Sequence, residues 1–464
     1  MTTHHLHVTR SIQESLKSCW KEGVANHVTL GMLEYYITPY ALFLGASVME
    51  IGILVSLPHL LGSWSQLLAT YVVKWTKSRR LLLVRAATLQ TCILVPLILL
   101  FLWPYPRSTV TVLIFLVCII RILMSLLGSV WGSLVSEYLP AQKRGLYFGW
   151  RAQIVGLSGL AGVLCGGLIL HAFDVKHTIM GFVIVFSMAA LCRGVSIHYL
   201  KQFHDVPYTH LPEHQFTFFD FIKRFRESNF VKFVLYVSTL TFSTYLAAPF
   251  FSVFMLQDLK FNYASYMGVH VAGIVGGLIA FPIWGRHADV VGNAKMLKLS
   301  SLLIPAIPFL WILSQDVYYL IAVEFVSGII WGGFNLCATN FIFEVVSPPK
   351  RVRCISYFNL INGSNVFLGS ILGSWLATHL PPLRGFSLLS LFGLSAFLRF
   401  LCHFFLSKQF KEVRESAQPV SGWRLFFSVV RIRPLLGVPR GWNAIPLLEE
   451  ILTEPPSDTS KKSA

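Results

Sequence analysis

"EYLPAQKRGLYFGWRAQIVGLSGLAGVLCGG", residues 137–167, and "EVVSPPKRVRCISYFNLINGSNVFLGSILGS", residues 344–374, are two copies of one pattern. In a single register Glu137 meets Glu344, Lys143 meets Lys350 and Arg144 meets Arg351. Gly156, Gly162 and Gly166 then meet Gly363, Gly369 and Gly373. Glycines alone would say little, because small residues are common wherever membrane helices approach closely. A shared acid, basic pair and glycine ladder point instead to a duplicated unit. Each copy follows the fourth long apolar run of its half, and duplication of this kind implies a cavity where the halves meet.

The composition says what solvent those runs meet. The chain has 464 residues, of which 55% are hydrophobic and 13% charged. A soluble chain of this length carries about a quarter charged residues, and the mean hydropathy here is +0.63. Roughly 20 helical residues cross a hydrocarbon core of about 30 Å. Runs of that kind fall at 24–44, 51–73, 81–103, 110–135, 148–171 and 178–200. Six more follow at 233–256, 266–284, 296–313, 317–343, 355–380 and 386–406. They are too long and too uniformly apolar for barrel strands. The expected fold is therefore an all-α integral membrane protein of twelve transmembrane helices in two pseudo-symmetric six-helix bundles. Its segments are a leading stretch 1–23, bundles at 24–200 and 233–407, a central loop 201–232 and a basic tail 408–464. Residues 1–23 show no signal-peptide pattern.

The net charge of +17 is distributed by topology. One set of loops holds Lys74, Lys77, Arg79, Arg80, Lys143, Arg144, Lys201, Lys223, Arg224, Arg226 and Lys232 in the first half and its central loop. In the second half the same side holds Arg286, Lys295, Lys298, Lys350, Arg351 and Arg353, whereas the alternate loops hold only Arg107, Lys176, Lys260 and Arg384. That asymmetry puts both termini and the central loop in the cytoplasm of a multi-pass protein of the cell (inner) membrane. It also removes nucleic acid as a partner, because no face gathers the charge. The eight cysteines include no C-x-x-C pair and none in an outer loop, so they are expected as packing thiols. No metal or other cofactor is called for, and the expected unit is a monomer in the bilayer.

Between two apolar runs lies "WGRHADVVGNAK", residues 284–295. With two six-helix halves, this resembles the major facilitator superfamily, whose loop motif runs Gly-x-x-x-Asp-x-x-Gly with following cations. Gly285, Asp289, Gly292 and Lys295 fit it; Val290 and Asn293 stand where the family usually has cations. The first-half copy, "TYVVKWTKSRR", is degraded, with Thr70, Lys74 and Lys77 at the Gly, Asp and second Gly places. The resemblance covers roughly 24–406 and looks closest to a poorly characterised prokaryotic branch. It implies that the second-half loop is a conformational gate: the aspartate would sit at the positive end of a neighbouring helix, where an acid gains about 0.3–1 kcal/mol, and the glycines would let the backbone turn. The alternative is a solvated turn. The family's exchanger motif in the fifth span is only partly kept, with Gly162, Gly166 and Gly167 present but Val163 in place of proline.

Buried charge is costly in a membrane and needs a role. Glu34 and Arg121 each fall about 15–16 Å along their spans at the helical rise, near the midplane. The family fold would line its cavity with the first, fourth, seventh and tenth spans, so the two would meet there as a coupling pair or as a static ion pair. Glu324, about 10 Å from the outer end of the tenth span, and Asn335 are the cavity candidates of the second half. Asn359, Asn362 and Asn365, three apart on the eleventh span, suit hydrogen bonds between helices first and cavity lining second. His270 and His59 are titratable candidates within spans. Arg85 and Arg193 are expected to snorkel towards the membrane surface, and Arg399 has no evident role.

The expected function is secondary transport of a small polar or amphiphilic solute by alternating access, coupled to protons. A uniporter or exchanger of the same fold, or a non-transporting receptor or scaffold, remains open at this stage. No nucleophile–base arrangement or nucleotide-binding loop is present to suggest an enzyme.

Overall fold

The computed structural model describes residues 2–76, 78–103, 106–139, 141–173, 177–206, 228–413 and 428. In the first half the long rods are α1 (Thr2–Phe43), α2 (Val48–Ser65), α4 (Arg79–Ile98), α5 (Pro106–Glu137), α6 (Ala141–Ala172) and α7 (Thr178–Leu200), with a short α3 (Ala69–Thr76) after α2. The second half has α8 (Asn229–Tyr245) continued by α9 (Phe250–Val253), then α10 (Tyr263–Val291). Next come α11 (Asn293–Leu303) continued by α12 (Ala306–Leu313), α13 (Val317–Val345), α14 (Pro348–His379) and α15 (Ser387–Leu406). The two interrupted rods break at Pro249 and Pro305, where the missing N–H cannot extend the helix before it.

Ten helices among the described residues are long and apolar enough to cross a bilayer. The other two rods of the expected twelve are α1 and α14. Both are long enough, but polar residues run through them: Glu22, Asn26, Thr29 and Glu34 in one, Asn359, Asn362, Ser370 and Ser374 in the other. They tolerate this because they are packed among other helices, α1 against α6 and α7, and α14 against α2 and α8. The leading stretch 1–23 is not a separate segment, since α1 begins at Thr2. Ser15, Leu16, Cys19 and Glu22 form a buried stripe there, while Glu14, Lys17 and Lys21 are exposed. An amphipathic stretch has no long apolar run, which is why it reads as a tail.

The halves meet mainly along α2 with α14 and α6 with α10. The duplicated glycines explain how. Any Cβ on Gly162 would overlap the Val28 carbonyl of α1, and on Gly166 the Tyr36 ring. In the second copy Gly369 and Gly373 stand against the Phe242 and Leu246 carbonyls of the α8 rod. The remaining member of each ladder faces the opposite half: Gly156 meets Leu278 of α10, and Gly363 meets Ser63 and His59 of α2. One repeat therefore seats each sixfold bundle internally and against its partner.

At the end of the bundle that carries the cations, the basic end, each half fastens onto itself in the same way. The shared acid holds the start of the third rod: Arg79 of α4 donates to both carboxylate oxygens of Glu137, at 2.7 and 2.6 Å, and Asn293 of α11 donates to Glu344 at 2.8 Å. The chain leaving the last rod then turns back. Phe203 and Phe410 are fully buried, and their carbonyls accept from Arg80 and Lys298 respectively. Two residues on, Asp205 accepts from the Ser78 hydroxyl and the Arg80 N–H at the start of α4, and Glu412 accepts from the Ala294 N–H at 2.8 Å at the start of α11. A carboxylate at a helix N-terminus satisfies a free N–H and meets the positive end of the helix dipole.

Candidate functional site

The geometry centres on Arg121. Its Nη1 donates to Glu34 Oε1 at 2.7 Å, and its Nη2 lies 2.8 Å from His59 Nε2 and 3.1 Å from Nδ1. A guanidinium only donates, so an imidazole nitrogen accepts from it. The Glu34 and Arg121 side chains remain 48% and 25% exposed, because both border internal space. One cavity of about 610 Å³ is lined by Glu34, Tyr35, Tyr266 and His270. A second, about 820 Å³, runs past Gln66, Asn335, Thr339 and Ile342 towards the basic end. His59, Arg121, Tyr245 and Ala248 line both, so the charged cluster stands at the boundary between them.

The other expected residues divide. Glu324 and Asn335 line the larger cavity, and the Trp311 indole donates to Glu324 Oε1 at 3.2 Å. Asn359 bonds across the halves to Gln66 at 2.8 Å, and Asn362 faces the cavity with its carbonyl oxygen unpartnered. Asn365 does not belong with them: its amide donates to the Ile361 carbonyl of its own helix. The cavity-facing stripe is Asn359, Asn362, Gly363 and Val366, the i, i+3, i+4, i+7 set, which leaves position 365 to one side. His270 packs edge-on to Tyr35 and Tyr266, with Nε2 buried and unpartnered.

Away from the basic end the halves are joined closely. Tyr266 donates to the Tyr35 carbonyl at 2.9 Å, Phe182 meets Tyr263 at 5.9 Å between ring centroids, and Gly52 abuts Ser374. The Gln66–Asn359 bond is the inter-half hydrogen bond nearest the basic end among those described.

The gate motif departs from the reading of its residues. Gly285 turns nothing; it lies inside α10, which continues to Val291. Only Gly292 makes the turn, at φ +98°. Asp289 is exposed on the last turn of α10, and the carboxylate at the N-terminus of α11 is Glu412 instead. Lys295 lies on the first turn of α11.

Two features went unread in the sequence. Arg193 does not snorkel: it is 3% exposed and donates to Asn26, Ser196 and Gln90 at 2.7, 2.8 and 3.1 Å. Beside it Glu22, 4% exposed, accepts from Arg151 at 3.3 Å and Ser196 at 3.1 Å. The i, i+4 pair Glu22 and Asn26, matched by Arg193 and Ser196, was the available signal. Arg399 now has an account: it is buried on the cavity wall with Glu324, donating to Ser395 at 3.1 Å and to the Thr244 carbonyl at 3.3 Å.

Two pseudo-symmetric six-helix halves around a polar cavity at mid-length define a membrane transporter fold. A family model of the Major Facilitator Superfamily matches residues 24–276 and 233–448, and the chain belongs to that family. No curated protein sequence matches the chain. Among solved structures it is similar to a mutant of the nucleoside transporter NupG, at 13% identity and TM-score 0.66, covering 84% of this chain and 99% of that one. A bacterial homologue of the iron transporter ferroportin, in an inward-facing state, is similar at 12% identity and TM-score 0.64, covering 85% and 98%. A D-xylose–proton symporter is similar at 14% identity and TM-score 0.64, covering 87% and 98%.

Proposed function

We propose that this protein carries a small polar or amphiphilic solute across the cell (inner) membrane by alternating access, coupled to protons through Glu34 and Arg121. The observation that carries the reading is their ion pair at 2.7 Å on the boundary of two internal cavities, with His59 completing the cluster. A proton taken by the Glu34 carboxylate would release the Arg121 guanidinium, whose N–H donors could then hold an acceptor group of the solute.

By the positive-inside rule the basic end faces the cytoplasm. The larger cavity runs towards that end while the opposite ends are joined through Tyr266, Tyr35, Gly52 and Ser374, so this conformation is inward-facing. Closing the basic end would bring the Asp289 carboxylate towards the opposite half.

The test is Glu34→Gln in reconstituted vesicles, a substitution that keeps the shape and mimics the protonated acid. Proton-driven accumulation should be abolished while solute exchange between the two sides persists. Full accumulation by a well-folded variant would leave the pair a static brace.

A further inference from the structure

A third cavity, about 300 Å³, lies inside the first half rather than between the halves. Its walls come from α1, α4, α5, α6 and α7, and include Glu22, Asn26, Trp131, Arg151 and Arg193. Leu30 and Met124 separate it from the 610 Å³ cavity, since they line both.

The charge in this pocket does not balance. Among the described residues Arg151 and Arg193 face a single carboxylate, Glu22, at 3.3 and 3.8 Å. Each of these side-chain oxygens already takes a donor: Glu22 Oε1 takes Ser196, Glu22 Oε2 takes Arg151, Asn26 Oδ1 takes Arg193 Nη1, and Gln90 Oε1 takes Arg193 Nε. Donors are left over. The Trp131 indole N–H is buried and has no partner, and an indole can only donate. The Arg151 guanidinium lies 4.2 Å from the Trp131 ring centroid, so cation and orphan donor stand together. A buried, uncompensated positive charge is costly, and a buried donor without an acceptor adds to that cost. The missing component is small, negative and rich in acceptors.

We propose that this pocket is a binding site for a small oxyanion of the carboxylate or phosphate type, held by Arg151, Arg193 and the Trp131 N–H. It is distinct from the solute cavity, and its existence does not depend on which solute is carried. Glu22, Asn26, Leu30 and Glu34 follow one i, i+4 row along α1, which winds from this site to the Glu34–Arg121 pair. An anion bound here would add its charge at one end of that row.

The test is thermal unfolding of the purified full chain, titrated with sodium phosphate and with sodium acetate. Ionic strength is held constant with sodium chloride, whose anion carries no oxygen acceptors. One of the two small anions should raise the transition saturably, as a ligand of the folded state does. Trp131→Phe keeps an aromatic ring beside Arg151 but removes the N–H together with part of the indole, so its own anion-free transition is the baseline. It should bind about tenfold more weakly, the loss expected for one hydrogen bond to a charged acceptor. Gly128→Val is a second variant: it lines the pocket, a Cβ there meets nothing within 4 Å, and the added methyls should occlude the site. A wild-type protein indifferent to both anions overturns the proposal. So does an anion affinity that Trp131→Phe and Gly128→Val both leave unchanged, which would place the ion elsewhere.

Discussion

Replacing one glycine by alanine at two positions separates packing from local helix preference. At Gly369 the new methyl would overlap the backbone carbonyl of Phe242, which no side-chain rotation can relieve. At Gly285 the nearest atom to the same methyl is Leu336 Cδ2 at 3.7 Å, an ordinary contact. Both residues are helical, so both substitutions gain the same preference of alanine over glycine, about 1 kcal/mol. That gain cancels in the comparison. The difference in unfolding free energy is then the overpacking cost alone, about 1–3 kcal/mol. Gly285→Ala should be slightly more stable than wild type and Gly369→Ala distinctly less stable than Gly285→Ala, and Gly162→Ala should follow Gly369→Ala because it meets the Val28 carbonyl. Denaturant titration in mixed micelles measures all three. Equal stability of Gly369→Ala and Gly285→Ala would refute the claim that the glycine ladder sets the helix spacing.

The remaining predictions are shorter. Glu412→Ala should cost about 1 kcal/mol by uncapping α11, and Asp205→Asn should weaken the start of α4 in the same direction; denaturation of each variant checks it. Asp289→Asn should leave stability unchanged, since the residue is exposed here, but should shift the inward–outward balance seen by cysteine accessibility from each side; unchanged accessibility would reduce the segment to a helix end. Cys19 is fully buried, so a maleimide should label it only after unfolding.

The helices were legible because lipid demands long apolar runs, and the duplication was legible because glycines and an acid recur in one register. The first and eleventh rods blurred for the opposite reason: their polar residues face protein and cavity, so the apolar run starts only after Glu22 and 1–23 reads as a tail. Glu34 and Arg121 could be paired from depth, sign and the spans that the family resemblance puts around the cavity. Glu412 at the start of α11 could not, since nothing local joins residue 412 to residue 294. Arg193 looked like an ordinary interfacial cation because its partners, Asn26 and Gln90, lie on two other helices.

The clasps at Asp205 and Glu412 also bear on how the molecule is put together. Among the described residues each half returns a segment to its own third rod, so neither of these two clasps is shared between the halves. Joining both bundles in one chain raises the effective concentration of one near its partner. Two separate polypeptides, divided within 207–227 and made together, would each keep its own clasp. Their assembly would rest chiefly on the α2–α14 and α6–α10 seams, and those same seams must slide for a solute to pass.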